Sequence, residues 1–164
     1  MSKRLNLREF QQNLINQLQA EDLRVERVST LGVQIAHQNW LVEMADIDQI
    51  MPLPKLAVVP FSKPWFRGVA NVRGNLYGVV DMCAYQGMGA ATCAVENRII
   101  LVSGRFEFNV ALLVDRVLGL RDARTWSVSE LNGQLEYQDE QGSTWRKLDV
   151  ADLLEQAEFL QIGV

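Results

Sequence analysis

One tight turn constrains this chain more than any other stretch. Val69-Ala70-Asn71-Val72 and Leu76-Tyr77-Gly78-Val79-Val80 are short, mostly apolar runs, separated only by Arg73-Gly74-Asn75. Two such runs joined by three residues, one of them a glycine able to take positive φ, read as strand, turn, strand. The apolar content buries the hairpin and leaves one cation at its tip. A guanidinium is costly to bury without a partner. Arg73 is therefore either paired inside the chain, with Asp46, Asp48 or Glu43 as the acids in view, or used outside it.

The rest of the composition sets wide bounds. The chain has 164 residues, 48% of them hydrophobic and 22% charged, enough for one domain or two small ones packed together. A net charge of −4 and the lack of a lysine–arginine block argue against a nucleic-acid surface. No apolar run approaches the roughly 18 residues of a membrane span. Met1-Ser2-Lys3-Arg4 is basic, yet no apolar stretch of a signal peptide follows. Cys83 and Cys93 do not amount to a disulfide framework. A cytoplasmic location is expected.

Along the chain, Leu7, Phe10, Leu14, Ile15 and Leu18 recur at helical spacing, which predicts an amphipathic helix over residues 5–19. Asn6 and Glu9 form an Asn version of the capping box at its start. That face either packs on the chain itself or serves as a partner-facing arm; residues 20–30 read as a connector. From Leu31 the period becomes two: Leu31, Val33, Ile35 and His37 alternate with Gly32, Gln34 and Ala36. Gln38-Asn39 is the expected turn into a returning strand from Trp40. Pro52 and Pro54 end regular structure after residues 47–51.

Beyond the central hairpin, Asp81 is placed to cap a short helix over residues 82–88. Residues 87–94 are small and suit an exposed, flexible loop. A second hairpin is expected from residues 98–103 and 106–114 across Gly104-Arg105, followed by a strand over 115–121. A third pairs residues 133–137 with 144–148, and Asp149 or Asp152 starts a closing helix in which Leu153, Leu154 and Ala157 face the core. Many short strands with turns between them predict a mostly β, barrel-like architecture. Apolar groups on either side of the loop at 87–97 predict two barrels.

Catalytic chemistry needs converging polar groups, and the candidates are sparse. His37 is the only histidine and sits on an alternating strand, the usual setting of a packing residue. Cys83 and Cys93 lack the histidines or second cysteine pair of a tetrahedral metal site. Gly87-Met88-Gly89-Ala90-Ala91-Thr92 lacks the third glycine and the following acid of a dinucleotide loop. Asp81 lacks the acidic pair and lysine that a phospho-accepting aspartate needs. No cofactor and no metal are expected. Trp65 suits either the core or a partner contact. The rival from another class is a small-ligand sensor or enzyme using a barrel cleft with Cys83, His37 and Asp81.

The string Gly68-Val69-x-Asn71-x-Arg73-Gly74, followed by an apolar strand ending in Val80-Asp81, resembles the signature of CheW-like coupling domains of bacterial chemosensory systems. Val72 and Met82 stand where that signature usually has leucine. The longer string from Trp65 to Gly74 is similar to the branch of the family that serves type IV pilus (twitching) systems. The resemblance implies two five-stranded, SH3-like β-barrels sharing a core, with an N-terminal amphipathic helix and a short C-terminal helix. It divides the chain into an N-terminal extension (1–30), a CheW-like domain of two intertwined barrels (31–158) and a tail (159–164). It implies a non-enzymatic adaptor, cytoplasmic and recruited to receptor arrays. The partners would be a methyl-accepting chemoreceptor and the regulatory domain of a CheA-type histidine kinase. By motif, Ile47, Gly68 and Arg73 line the receptor side, Gly68 by allowing close approach of a partner helix. Asn71, Gly74 and Asp81 are turn-forming or capping residues, and no kinase-facing residue is assigned. A general chemotaxis coupling protein is the alternative within the family.

Overall fold

The computed structural model describes residues 11–16, 30–91 and 94–163. Residues 11–16 are helical (α1) and exposed, Leu14 and Ile15 included. The remainder of the predicted N-terminal helix, its capping box and Cys93 lie outside the described residues.

Among the described residues the strands form two sheets. Six belong to the first: β1 (Thr30–Ile35), β2 (Gln38–Glu43), β8 (Arg116–Arg121), β9 (Ser127–Leu131), β10 (Gln134–Gln138) and β11 (Thr144–Leu148), in the order β8-β1-β2-β11-β10-β9. Five belong to the second: β3 (Ile47–Pro52), β4 (Phe66–Val72), β5 (Asn75–Asp81), β6 (Arg98–Val102) and β7 (Val110–Val114), in the order β3-β6-β7-β5-β4. The first sheet thus carries one strand more than the resemblance implies. Three short α-helices, α2 (Met82–Tyr85), α3 (Val150–Glu155) and α4 (Ala157–Leu160), and two 3-10 turns at Met44–Asp46 and Gly104–Phe106 complete the fold.

The two apolar groups do not divide the chain at the 87–97 loop. The chain begins the first sheet with β1 and β2, builds the whole second sheet, and returns at Asp115. There the Asp115 N–H donates to the Gln34 carbonyl at 2.9 Å and β7 passes into β8. β2 pairs in parallel with β11, and β5 in parallel with β7. Parallel neighbours need crossover connections, so segments distant in sequence close both sheets.

Strand alternation fixes the cores. Leu31, Val33, Ile35, Trp40, Val42 and Leu148 of the first sheet meet Phe66, Val80, Ile100, Val102, Leu112 and Val114 of the second. The opposite face of the second sheet holds another core of Ala70, Val72, Val79, Ile99, Leu101, Ala111 and Leu113. On the outer face of the first sheet Leu41 and Trp145 are buried, and Trp126 stands 5.4 Å from Trp145. Trp40, Trp65 and Trp145 are therefore core residues.

Several local expectations shift. β1 turns into β2 through Ala36 and His37, both at positive φ (53° and 62°), two residues before Gln38-Asn39. His37 therefore sits exposed on a turn and not on a strand face. Asp149 caps α3, accepting from the Asp152 N–H at 3.1 Å. Leu153 and Leu154 are buried, but Gln156 breaks the helix and Ala157 faces outward. Phe159 takes the core position instead: it is 2% exposed, stacked 6.0 Å from Trp65 and edge-on to Tyr85 at 5.3 Å. Burying such a ring contributes about 1.5–3 kcal/mol. The expected tail is consequently tied down, and the Lys63 N–H donates to the Ile162 carbonyl at 2.8 Å.

Candidate partner-binding site

The β4–β5 hairpin is anchored at one end and free at the other. Val72 pairs with Asn75, so the loop is two residues long, Arg73 and Gly74, with φ of 52° and 85°. Positive φ at both central residues matches the twist of the flanking strands, and glycine takes the second without strain. The Asn71 side-chain oxygen accepts from the Gly74 N–H at 3.0 Å and closes the turn from within. β5 meets β7 only from Gly78 onward, paired with Val110. Residues 73–76 are thus the exposed tip of a two-stranded hairpin that runs beyond β7, while Val72 and Tyr77 still pack on the second core.

Arg73 and Leu76 are exposed on that tip. Among the described residues no carboxylate pairs with Arg73; Asp46 is held by Arg105, and Glu43 by Lys147 at 3.0 Å. Leu76, read from sequence as part of a buried strand, stays outside because β7 stops short of it. The missed signal is the length of β7's partner run, which sequence spacing does not reveal.

Gly68 serves a different purpose from the one expected. It is buried at a bulge in β4, with φ 139°, and a Cβ there would lie 2.5 Å from the Ala57 carbonyl oxygen. That oxygen accepts from the Val69 N–H at 2.8 Å, and the Val69 carbonyl accepts from the Ala57 N–H at 2.9 Å. A close backbone approach that glycine permits is made here by the chain's own Leu56–Ala57 segment. Ile47 opens β3 opposite Val102 and packs half-buried against the core between the sheets. The register puts it toward the Arg73 end of the sheet, on the opposite edge strand.

Asp81 anchors the far end of the hairpin. It is 0% exposed, yet its carboxylate is filled: it accepts from the Ala84 N–H at 3.2 Å, from the Ala91 N–H at 2.9 Å and from Arg67 at 3.3 Å. Capping, ion pairing and loop closure occupy the group entirely with structural work. The 87–94 segment is thereby pinned at Ala91, which is buried, while residues 87–90 are exposed. Arg67 escaped the sequence reading, although an arginine near an acid across a hairpin is itself a signal.

Cys83 and Asp81 are neighbours, but His37 does not share a cleft with them. Cys83 is buried in the second core, and burial, then the Asp115 and Asp81 carboxylates, push its thiol upward from the ordinary value. A thiol held protonated is a poor nucleophile. His37 borders two surface clefts, and neither includes Cys83 or Asp81. Among the described residues no three His, Cys, Asp or Glu side chains could hold a metal. No helix among them is long and apolar enough to cross a membrane.

A mostly β fold of two packed sheets, with an exposed hairpin tip on one of them, is the class these features define. The CheW-like domain model matches residues 29–158, and the chain belongs to that family. Among curated proteins it is 27% identical over 104 residues to Protein PilI of Pseudomonas aeruginosa, covering 63% of this chain and 58% of that one. It is 26% identical over 96 residues to Chemotaxis protein CheW of Thermotoga maritima, covering 58% and 62%. A probable chemotaxis protein CheW of Rhizobium etli is 28% identical over 115 residues, covering 68% and 74%. The chain thus spans less than two thirds of the length of the first two relatives. In fold it is similar to the scaffolding protein TtCheW of Thermoanaerobacter tengcongensis, with a TM-score of 0.60 and 16% identity over 78% of this chain and 92% of that one.

Proposed function

We propose that this chain is a non-catalytic adaptor that couples a methyl-accepting chemoreceptor to a CheA-type histidine kinase in a type IV pilus (twitching) system. Residues 31–158 form the coupling domain, preceded by an N-terminal extension at 1–30. The observation that carries the reading is the preorganised hairpin tip: a turn closed by Asn71 and Gly74 that presents Arg73, without a carboxylate partner among the described residues, beside an exposed Leu76. The turn fixes where Arg73 leaves the backbone, and its guanidinium fork suits a receptor carboxylate or carbonyl. Ile47 extends the receptor-facing surface on the far edge of the sheet. Gly68 contributes by holding β4 against Ala57, and so acts on the hairpin through its base. Receptor states that contact the tip differently shift the bound kinase between active and inactive populations. The assembly is cytoplasmic and gathered at membrane receptor arrays. The likeness to Protein PilI favours the pilus branch over general chemotaxis.

Co-sedimentation with receptor-bearing membranes, with and without the kinase, tests this. Wild type should carry the kinase down, and Arg73→Glu should fold normally, with stability within about 0.5 kcal/mol of wild type, yet fail to sediment. A folded Arg73→Glu that couples as well as wild type would remove Arg73 from the interface. Absence of sedimentation by wild type, with competent receptor and kinase, would end the adaptor reading.

A further inference from the structure

We propose that the cleft between the first sheet and helices α2 and α3 binds a small zwitterion with an apolar side chain, either a free amino acid or a short peptide. The cleft holds about 490 Å³ and is bordered by β2, β10 and β11 on the sheet side. Small-molecule sites span roughly 300–1,000 Å³, so this one suits a compact ligand and not a folded domain.

The sheet side supplies donors. Trp40 of β2 and Arg146 of β11 are paired in register, so both side chains leave the same face. Trp40 is only 8% exposed, and its indole N–H is the one buried side-chain group without a hydrogen-bond partner among the described residues. A buried donor left unpaired is costly and rare, so an oxygen reaching it from the cleft is favoured. Arg146 meets Glu136 through Nε alone, at 3.7 Å, and keeps its two terminal nitrogens. An N–H beside a guanidinium fork is the donor set of a carboxylate.

The α3 side supplies acceptors. Asp149 accepts from the Asp152 N–H through Oδ1, and Asp152 accepts from the Gln156 amide through Oδ2 at 3.5 Å. Each acid keeps one carboxylate oxygen, and neither forms an ion pair among the described residues. The Tyr85 hydroxyl donates to the Gln156 side-chain oxygen and orients that amide. Met82, Leu148 and Leu153 are buried and give the cleft its apolar part. Lys147 also borders the cleft, but its ammonium is held by Glu43 at 3.0 Å.

These charges define the ligand. A plain carboxylate would meet Asp149 and Asp152, and a plain amine would leave the Trp40 N–H without an acceptor. A molecule with both groups and an apolar side chain answers every one of them.

The purified full chain, labelled with a nitrogen isotope, would be titrated with leucine, leucyl-leucine, N-acetylleucine and leucinamide while the indole N–H resonances are followed. The chain has four tryptophans, and Trp40→Phe identifies the Trp40 signal. Should that variant fail to fold, the backbone amides of Trp40 and Arg146 report the same site. The Trp40 signal should move saturably with leucine or leucyl-leucine, and the tighter of the two tells a free amino acid from a peptide. The two blocked compounds should bind at least about tenfold more weakly. Arg146→Gln should weaken the zwitterion about tenfold, and Asp152→Asn should weaken it without weakening N-acetylleucine. A Trp40 signal that no compound moves into the millimolar range overturns the inference. N-acetylleucine or leucinamide binding as tightly as the zwitterions overturns it too. Neither receptor nor kinase enters this experiment, so the adaptor reading stands or falls separately.

Discussion

Replacing Asp81 with alanine should loosen the fold by about 2–5 kcal/mol without touching the proposed interfaces. Three interactions end on that one carboxylate. Losing the cap to the Ala84 N–H costs about 1 kcal/mol. Leaving the Ala91 N–H unsatisfied in a buried setting costs about 1–3 kcal/mol. The Arg67 pair adds less than about 1 kcal/mol, since the Arg67 side chain is 28% exposed and keeps access to water. Urea unfolding followed by tryptophan fluorescence should show the midpoint falling with the slope unchanged, and heating should show a drop of roughly 5–15 °C. Asp81→Asn keeps one acceptor oxygen and should recover about half of the loss. If Asp81→Ala costs less than about 1 kcal/mol, the carboxylate is not the structural hub its three bonds indicate. A role for Asp81 outside the fold would then be open again.

Three further outcomes follow from the same geometry. Gly68→Ala should destabilise by more than about 2 kcal/mol, because its Cβ meets the Ala57 carbonyl at 2.5 Å and φ 139° strains any side chain. Receptor binding by whatever fraction stays folded should be normal, and a stable variant that has lost binding would return Gly68 to the interface. Cys83 should resist alkylation in the native protein and react only on unfolding. Its thiol is raised in the folded state, so its contribution to stability is full below the ordinary value of 9.0 and fades as pH climbs through the folded value. Cys83→Ser should flatten the alkaline part of the stability curve relative to wild type, and an unchanged slope would refute the assignment.

Local chemistry made part of this protein readable in advance. Asn71 and Gly74 gave away the hairpin, because few residues tolerate its turn. The Asp81 cap and the inward sides of Leu31, Val33 and Ile35 followed from spacing alone. What spacing could not reveal was non-local. The partition of strands between sheets depends on β2 meeting β11, and nothing near Trp40 announces a neighbour at Arg146. Gly68 was read as a partner contact because the segment that approaches it, Leu56–Ala57, is fixed only in three dimensions. Leu76 looked like core until the reach of β7 was known. Phe159 was set aside as tail because a lone aromatic after a helix break carries no periodicity.

The parallel pairing of β2 with β11 also has a consequence for how the protein is made. Thr144, where β11 begins, is about 100 residues beyond Glu43, and at roughly 5–20 residues per second synthesis keeps β2 waiting about 5–20 seconds for its neighbour. Through that interval Trp40 and Val42 have only β1 beside them, and the edge of β2 is open to wrong partners. The second sheet, built wholly from residues 47–114, has no such delay and can serve as the template on which the first one closes. A nascent chain cut short before residue 144 would keep the hairpin with Arg73 but lack the closed first sheet. Completion of the first sheet therefore waits on its last strand, and a prematurely terminated copy would leave the β2 edge unpaired.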